Sequence, residues 1–372
     1  MDFGFTEEQN LLREQVRRFL DDRAPLTEVR KWMRSEQGHS PDLWREMADL
    51  GWVGLIVPES YGGVGLGFLD LTVVLEEMGR SLFPSPLISN TLTQSILLAA
   101  GSEDLKRRWL PSLADGTKCG AIAIVDASDC LDTAGVTLDA EPLDDNLVLN
   151  GVKALVHDAP SADLLVVGFR AAGDVRLAAI DVTRDGVNVA PVTSMDETKR
   201  AGRVSFDCVE IEPGDLLTEV PITDALLARL FDFGAIAVTA EAVGAAESTL
   251  ELTNAYAKER IQFGAPIGRY QGVKHRLAEM YVDIESIRSL LYYAAWTADE
   301  SPQELPRSTS LAKAYASDAF ARIGIDGVQL HGAIGFTAEY DIQLYLKRSK
   351  WTRPVFGDSD FHYERVAELG EA

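Results

Sequence analysis

The stretch of sequence that decides the fold runs from residue 224 to 260 and reads DALLARLFDFGAIAVTAEAVGAAESTLELTNAYAKER. Its apolar residues recur at helical spacing, so it predicts one long helix. Two further long helical patterns follow, at residues 271–298 and 311–332. Helices of this length, each with one wide apolar face, are predicted to pack as an up-down bundle.

The pattern changes upstream of this bundle. Between residues 117 and 220, short runs rich in β-formers, such as DLLVVGF and RVSFDCVEI, alternate with Asp, Gly and Pro turns. No long helical pattern interrupts these runs. They therefore predict a β-barrel or sandwich rather than a parallel sheet with crossover helices.

The first part of the chain is again helical in pattern. Thr6 and Gln9 form a capping-box signature before LLREQVRRFL, and a glycine-rich loop, PESYGGVGLG, interrupts the helices at residues 58–67. The predicted fold class is α+β. It has an N-terminal helical domain (1–116), a middle β-barrel or sandwich domain (117–220) and a C-terminal four-helix-bundle domain (221–372).

Composition limits the classes of partner. A chain of 372 residues with 46% hydrophobic residues can bury a large core, and its net charge of −23 repels a phosphate backbone, so we expect no nucleic-acid partner. The N-terminus lacks the layout of a signal peptide. The longest apolar run, 230–246, contains Asp232 and Glu241. It therefore predicts a buried helix, and we expect no membrane span and a cytoplasmic location.

The cysteines and histidines indicate no metal site. Cys119, Cys130 and Cys208 show no CxxC pairing, so we expect reduced, buried thiols. His331 is expected to be a packed or capping histidine. No set of His, Cys and carboxylate residues has the spacing of metal ligands.

Three longer motifs carry a family resemblance. They are GLIVPESYGGVGLGFLDLTVVLEEMGR (54–80), ERIQFGAPIGRYQGVKHRLAEM (259–280) and QLHGAIGFTAEYDIQLYLKRSK (329–350). In this order, and with the β domain between the first and the second, they resemble the acyl-CoA dehydrogenase family over essentially the whole chain. The resemblance implies a flavoprotein that uses FAD to desaturate an acyl-CoA thioester. It also implies an oligomer, and electron-transfer flavoprotein as the electron acceptor.

Seven residues of the last two motifs are the predicted contacts of the ADP half of FAD. An arginine offers a guanidinium fork for the pyrophosphate, glycines let the backbone approach a bulky ligand, and glutamine amides recognise adenine or ribose. The set is Arg260, Phe263, Gly264, Gln271, Gln329, Gly332 and Gly335. The resemblance implies that a neighbouring subunit completes this site. A surface ion pair for Arg260 and helix-end turns for Gly332 and Gly335 are the alternatives.

The catalytic base departs from the family pattern. In KRSKWTRPVFGD, Phe356 stands where the family usually has its glutamate base, and Gly234 stands at the second known location. Glu241 is the remaining candidate, two helical turns beyond Gly234 and among small apolar neighbours. Its alternative role is a structural carboxylate that caps a helix or pairs with an arginine. Asp358 is a further candidate base.

The predicted cradle of the flavin ring departs as well. The Trp-Ile-Thr stretch of the family, whose hydroxyl meets flavin N5, becomes Leu155, Val156 and His157. The Thr-Glu-Pro stretch appears as IVDASD (124–129), and the arginine that commonly follows Asp232 by three residues is Ala235. In the surrounding run GVKALVHDA (151–159), only Gly151 and Lys153 fit the family pattern.

Three functions remain open from the sequence. The chain is an FAD-dependent acyl-CoA dehydrogenase that uses Glu241 on a bulky thioester, or one subunit of a heteromeric dehydrogenase, or a scaffold without flavin. In the second case a paralogous subunit supplies the base or the flavin cradle. Mixed assemblies exist in the family that this chain resembles, notably for steroid side-chain degradation. The ADP motifs argue against the scaffold, and the altered cradle favours the heteromer. The partner is a paralogous subunit or a second copy of the chain, in a dimer of dimers.

Overall fold

The structure of the chain, a computed structural model, describes residues 5–126 and 130–370. The chain divides into two compact units. The first contains residues 1–31, 68–83 and 235–372, and the second contains residues 32–67 and 84–234. The helices Glu7–Arg23 and Phe68–Arg80 thus belong to the same unit as the C-terminal helices. The predicted domain boundaries at residues 116 and 220 stay a prediction.

Eleven α-helices form within the described residues. They are α1 (Glu7–Arg23), α2 (Leu26–Met33), α3 (Pro41–Asp49), α4 (Phe68–Arg80), α5 (Leu87–Ala100), α6 (Glu103–Ala114), α7 (Asp224–Glu259), α8 (Gln271–Glu300), α9 (Leu305–His331), α10 (Ile342–Thr352) and α11 (Ser359–Gly370). The long helices α7, α8 and α9 cover the three segments for which the sequence predicts long helices. The predicted helical N-terminal part and C-terminal bundle are confirmed.

The strands form two larger sheets and one hairpin. They are β1 (Gly120–Ala123), β2 (Ala140–Leu143), β3 (Asn146–His157), β4 (Leu164–Ala171), β5 (Asp174–Asp181), β6 (Val187–Val192), β7 (Ala201–Ile211), β8 (Ile261–Gln262) and β9 (Ala265–Pro266). One sheet has the order β1-β4-β5, and the other, fully antiparallel, has the order β2-β3-β7-β6.

The two larger sheets share one hydrophobic core. Leu165 and Val167 of β4 belong to the same buried cluster as Leu149 of β3 and Val204 and Val209 of β7. A core built from two sheets is a sandwich, one of the two architectures that the sequence predicts. No helix longer than a single turn interrupts the described residues between β1 and β7.

Local sequence signals explain where elements begin and how closely they pack. The Oγ1 atom of Thr6 accepts a hydrogen bond from the Gln9 amide at 3.2 Å, and the Gln9 side chain accepts one from the Thr6 amide at 3.1 Å. The predicted capping box of α1 is therefore confirmed. Helices α4 and α7 cross at two glycines. A Cβ atom on Gly79 would lie 2.0 Å from the Glu241 carbonyl oxygen, and one on Gly244 would lie 1.8 Å from the Glu76 carbonyl oxygen.

The helices and the cysteines each add one finding. No helix of the described residues is long and apolar enough to cross a membrane. The expectation of buried cysteines is wrong for two of the three, because Cys119 is buried whereas Cys130 and Cys208 are exposed. Cys208 lies on β7 with φ near +52°. The local sequence around a cysteine does not predict which face of a strand it occupies when the strand is irregular.

Candidate active site

The predicted FAD residues begin on a tight hairpin after α7. Strands β8 and β9 are joined by Phe263 and Gly264, whose φ angles are +51° and +78°. Two consecutive residues with positive φ form the turn type that joins two-residue hairpins. The Tyr270 hydroxyl donates to the carbonyl oxygens of Gln262 at 3.0 Å and Phe263 at 3.3 Å, and thereby holds the turn.

This turn presents an aromatic ring in an unusual way. Phe263 is 94% exposed, and a non-glycine residue in the left-handed region carries backbone strain. Strain of this kind persists where the surrounding structure or a function requires it. An aromatic ring that is held out on a strained hairpin is suited to contact a ligand or a neighbouring chain.

The guanidinium of Arg260 lies at the start of the same hairpin. Arg260 is exposed, and its guanidinium makes no ion pair within the part of the chain that the structure describes. The alternative of a surface ion pair, which the sequence left open, therefore has no support here. A guanidinium without a protein partner can bind a phosphate through two parallel hydrogen bonds.

The two glutamines lie at the same end of the helix pair α8–α9. The Oγ1 atom of Thr297 lies 2.7 Å from the Oγ atom of Ser308, and Arg276 faces Asp326 at 3.7 Å. Each pair joins α8 to α9, and the earlier residue of α8 faces the later residue of α9, so the two helices are antiparallel. This register places Gln271, the first residue of α8, beside the end of α9, where Gln329 lies. Both glutamines are exposed.

The glycines after α9 leave open space and make a close turn. Gly332 has φ +66°, and a Cβ atom at Gly264 or Gly332 would meet no other atom within 4 Å. A Cβ atom on Gly335 would lie 2.7 Å from the Val328 carbonyl oxygen, so Gly335 serves the turn itself. The preceding His331 is buried, and its ring stacks on Tyr256 with centroids 4.4 Å apart. The prediction of a packed histidine is confirmed.

These residues fit the ADP half of FAD. The fit consists of an exposed guanidinium, two exposed amides and two glycines that leave space for a bulky ligand, all within the first unit. The roles of the seven residues stay a prediction. Within the described residues there is also no group of three His, Cys, Asp or Glu side chains that could hold a metal ion.

The turn that carries Phe356 follows α10. Phe356 has φ +58° and Gly357 has φ +93°. A Cβ atom on Gly357 would lie 2.5 Å from Phe361 and 2.8 Å from the Nε2 atom of His362, so only glycine fits at this position. The further candidate base, Asp358, caps α11 because its Oδ1 atom accepts a hydrogen bond from the Phe361 amide at 3.0 Å.

Glu241 is buried in α7 and forms an ion pair. Its Oε2 atom lies 3.1 Å from the Nη1 atom of Arg348, and both side chains are at most 2% exposed. This contact is the structural alternative that the sequence left open. The guanidinium of Arg348 therefore occupies one of the two carboxylate oxygens of Glu241. The assignment of Glu241 as the base stays a prediction.

The β domain retains one element of the predicted flavin cradle. Lys153 is fully buried, and its Nζ atom donates to the Ile124 carbonyl oxygen at 2.8 Å and pairs with the Asp126 carboxylate at 2.7 Å. Leu155, where the family has tryptophan, is 59% exposed. Burial and nearby Lys199 lower the pKa of His157 to about 4, so its ring is neutral at pH 7. Residues 127–129 of the stretch IVDASD lie outside the described residues.

The sequence reasoning missed two residues near the Phe356 turn. Lys313 on α9 and His362 on α11 are both buried, and both hydrogen-bond to backbone carbonyl oxygens of this turn. One signal was present in the sequence. Lys313 lies in SLAKAYASDAF, where a lysine among small residues on a helix indicates a buried charge that needs partners.

Comparison with known proteins identifies the family. Family models for the N-terminal and the C-terminal domains of acyl-CoA dehydrogenases match residues 6–117 and 225–370. The acyl-CoA dehydrogenase IpdE2 of Mycolicibacterium smegmatis is 34% identical over 353 residues, which cover 95% of each chain. The chain therefore belongs to the acyl-CoA dehydrogenase family, and its cofactor is FAD.

Two solved structures with more than one named component share this fold. A variant of the Tcur3481-Tcur3483 steroid ACAD is 29% identical, with a TM-score of 0.88 and 98% of both chains covered. A chain of the ChsE4-ChsE5 complex from Mycobacterium tuberculosis is 25% identical, with a TM-score of 0.90 and both chains fully covered. Both are similar to this chain along nearly its whole length.

Proposed function

We propose that the chain is one subunit of a heteromeric FAD-dependent acyl-CoA dehydrogenase, which introduces an α,β double bond into a bulky or steroid-derived acyl-CoA thioester. Its family supports an oxidoreductase that acts on acyl-CoA. The heteromer and the steroid-derived substrate are supported by the two complexes to which the chain is similar, one of them described as a steroid enzyme.

A single observation carries the heteromer. The resemblance places Phe356 where the family has its base, and the carboxylate of Glu241 is in contact with the buried Arg348. Phenylalanine cannot accept a proton, yet the α-proton must pass to a base on the face of the substrate opposite the flavin. We therefore assign the base to a paralogous partner subunit. Glu241 is the alternative within this chain.

The contribution of this chain to the flavin site is binding and orientation. When bound, FAD accepts the hydrogen that leaves the β-carbon of the thioester. Arg260 neutralises the pyrophosphate, Gln271 and Gln329 hydrogen-bond the nucleoside, and Gly332 leaves space for it. Phe263 covers the site at the junction with the neighbouring subunit.

The partner docks, in this proposal, on the face formed by α8, α9 and the turn after α9. This face carries exposed apolar side chains in its described residues: Tyr281 is 57% exposed, Val282 60%, Ile325 49% and Phe336 76%. A groove of about 730 Å³ runs between the two helices, with Arg276, Arg322, Glu279 and Asp283 among its lining residues. Apolar surface with a charged rim is typical of a protein–protein interface.

The electron acceptor is electron-transfer flavoprotein in this proposal, on the basis of the family alone.

The experiment that tests the heteromer is expression of the chain alone and together with each paralogous dehydrogenase chain encoded nearby. Flavin absorbance is then measured after gel filtration. We expect a colourless lone chain and a yellow complex of higher mass. A lone chain that carries a full complement of flavin and oxidises a CoA thioester would contradict the proposal.

A further inference from the structure

The turn from Arg353 to Asp358 is held from outside by a buried ammonium group. The Nζ atom of Lys313 on α9 lies within hydrogen-bond distance of the carbonyl oxygens of Thr352 at 3.2 Å, Arg353 at 2.9 Å and Gly357 at 2.8 Å, and of the hydroxyl of Ser317 at 2.9 Å. Its three N–H bonds are shared among these four oxygens. Within the described residues, none of these partners is an anion. Lys313 therefore binds the end of α10 and the far side of the turn at the same time.

A buried histidine holds a further carbonyl oxygen of the turn. The Nε2 atom of His362 on α11 lies 2.8 Å from the Phe356 carbonyl oxygen, and its Nδ1 atom lies 3.2 Å from the Ser310 hydroxyl. A carbonyl oxygen only accepts, so Nε2 carries the proton. Nδ1 then accepts from Ser310, whose oxygen in turn accepts from Arg365 at 3.3 Å. The network satisfies His362 in its neutral form.

Burial of an ammonium group without a carboxylate partner costs free energy, and lysine side chains are rarely buried completely. Buried polar groups are retained in some proteins because they fix one conformation. Here the conformation that is fixed is that of a six-residue turn, Arg353–Asp358, with two consecutive positive φ angles at Phe356 and Gly357. Side chains of α9 and α11 fix carbonyl oxygens on both sides of this strained position.

We propose that Lys313 and His362 are positioning residues that lock the Arg353–Asp358 turn, so that the ring of Phe356 forms a fixed wall of the acyl site where the family otherwise has its base. This inference rests on the proposed function, in which Phe356 stands where the family has its base and therefore beside the acyl group. It assigns Phe356 to substrate selection. Lys313 and His362 act through the backbone and do not touch the substrate.

The test uses the complete complex with two thioesters, butanoyl-CoA and the bulkier cyclohexanecarbonyl-CoA. The variants are Lys313→Met, His362→Phe, His362→Gln and Phe356→Ala, with Ser308→Ala as a matched loss of a buried hydroxyl elsewhere on α9. Two kinds of measurement are made on each variant: hydrogen exchange of the peptide that covers residues 352–358, and steady-state kinetics that give KM and kcat for both thioesters.

We expect exchange of the turn to become at least tenfold faster in Lys313→Met and His362→Phe, with KM raised at least fivefold and kcat changed less than twofold. His362→Gln, whose amide restores the donor, should return exchange to within twofold of wild type. Phe356→Ala should alter the ratio of kcat/KM between the two thioesters at least tenfold without faster exchange. Ser308→Ala should change none of these quantities.

Two results would overturn the inference. One is unchanged exchange of the turn in both Lys313→Met and His362→Phe. The other is faster exchange without any change in KM, which would make the network merely structural. A complex that dehydrogenates neither thioester nor any steroid-derived thioester contradicts the proposed function instead, and the exchange data still decide whether Lys313 and His362 hold the turn.

Discussion

The ion pair between Glu241 and Arg348 gives the sharpest prediction, because it separates a structural role of Glu241 from a catalytic one. Both side chains are at most 2% exposed, and their charged atoms are 3.1 Å apart. Removal of one partner of a buried pair costs about 3–5 kcal/mol, since the other charge stays buried. At about 2–4 °C per kcal/mol for a large domain, Glu241→Gln should lower the Tm of the complex by about 10 °C.

Arg348→Met should lower Tm by a similar amount. The double variant should lose less free energy of unfolding than the sum of the losses in the two single variants. A coupling of about 1–3 kcal/mol is the expected size for directly contacting residues. Glu14→Gln, at an exposed position on α1, is the control and should leave Tm unchanged. The assay is thermal unfolding of the complex, followed by turnover per bound flavin at a temperature well below the lowest Tm.

The structural role predicts that Glu241→Gln retains turnover per flavin within about threefold of wild type while Tm falls. The opposite pattern would refute this reasoning. If Tm stays within 2 °C of wild type and turnover per flavin falls by the roughly 10²–10⁴-fold factor that a general base contributes, Glu241 is the base and the chain needs no base from its partner.

Three further outcomes are expected. Gly244→Ala should destabilise the chain by about 1–3 kcal/mol or prevent folding, measured as Tm, because the new Cβ would lie 1.8 Å from the Glu76 carbonyl oxygen. Arg260→Met should weaken FAD binding by the complex about 10- to 100-fold, measured as flavin content after dialysis, whereas Lys258→Met on the same exposed segment should not. Burial lowers the pKa of Lys313 to about 7, so above pH 7 the unfolded chain binds more protons than the folded one. The Tm of wild type relative to Lys313→Met should therefore rise between pH 6 and pH 9, and a difference that is flat across this range would contradict the burial of a titrating ammonium.

The helices and strands could be predicted from local sequence signals, because the interactions that form them act between residues close in sequence. The Thr6–Gln9 capping box and the alternating runs of the sandwich depend on residues a few positions apart. The resemblance predicted the contacts of the ADP half, and the structure brings two of the predicted residues, Gln271 and Gln329, to one end of the α8–α9 pair.

The partners of buried charges could not be predicted in this way. Glu241 and Arg348 are 107 positions apart, and Lys313 reaches backbone oxygens about 40 positions away. Such contacts depend on how α7, α9 and α10 pack, and a periodic pattern shows which face of a helix is buried but not what it faces. The exposure of Cys208 likewise depends on a positive φ that its neighbours do not signal.

The most direct measurement is anaerobic addition of a steroid-type CoA thioester to the purified complex of this chain with its paralogue, followed by flavin absorbance near 450 nm. We expect a yellow complex whose absorbance bleaches as the thioester is oxidised. We also expect a glutamate-to-glutamine change in the partner's base to abolish the bleaching. A colourless complex, or full bleaching with that partner variant, would contradict it.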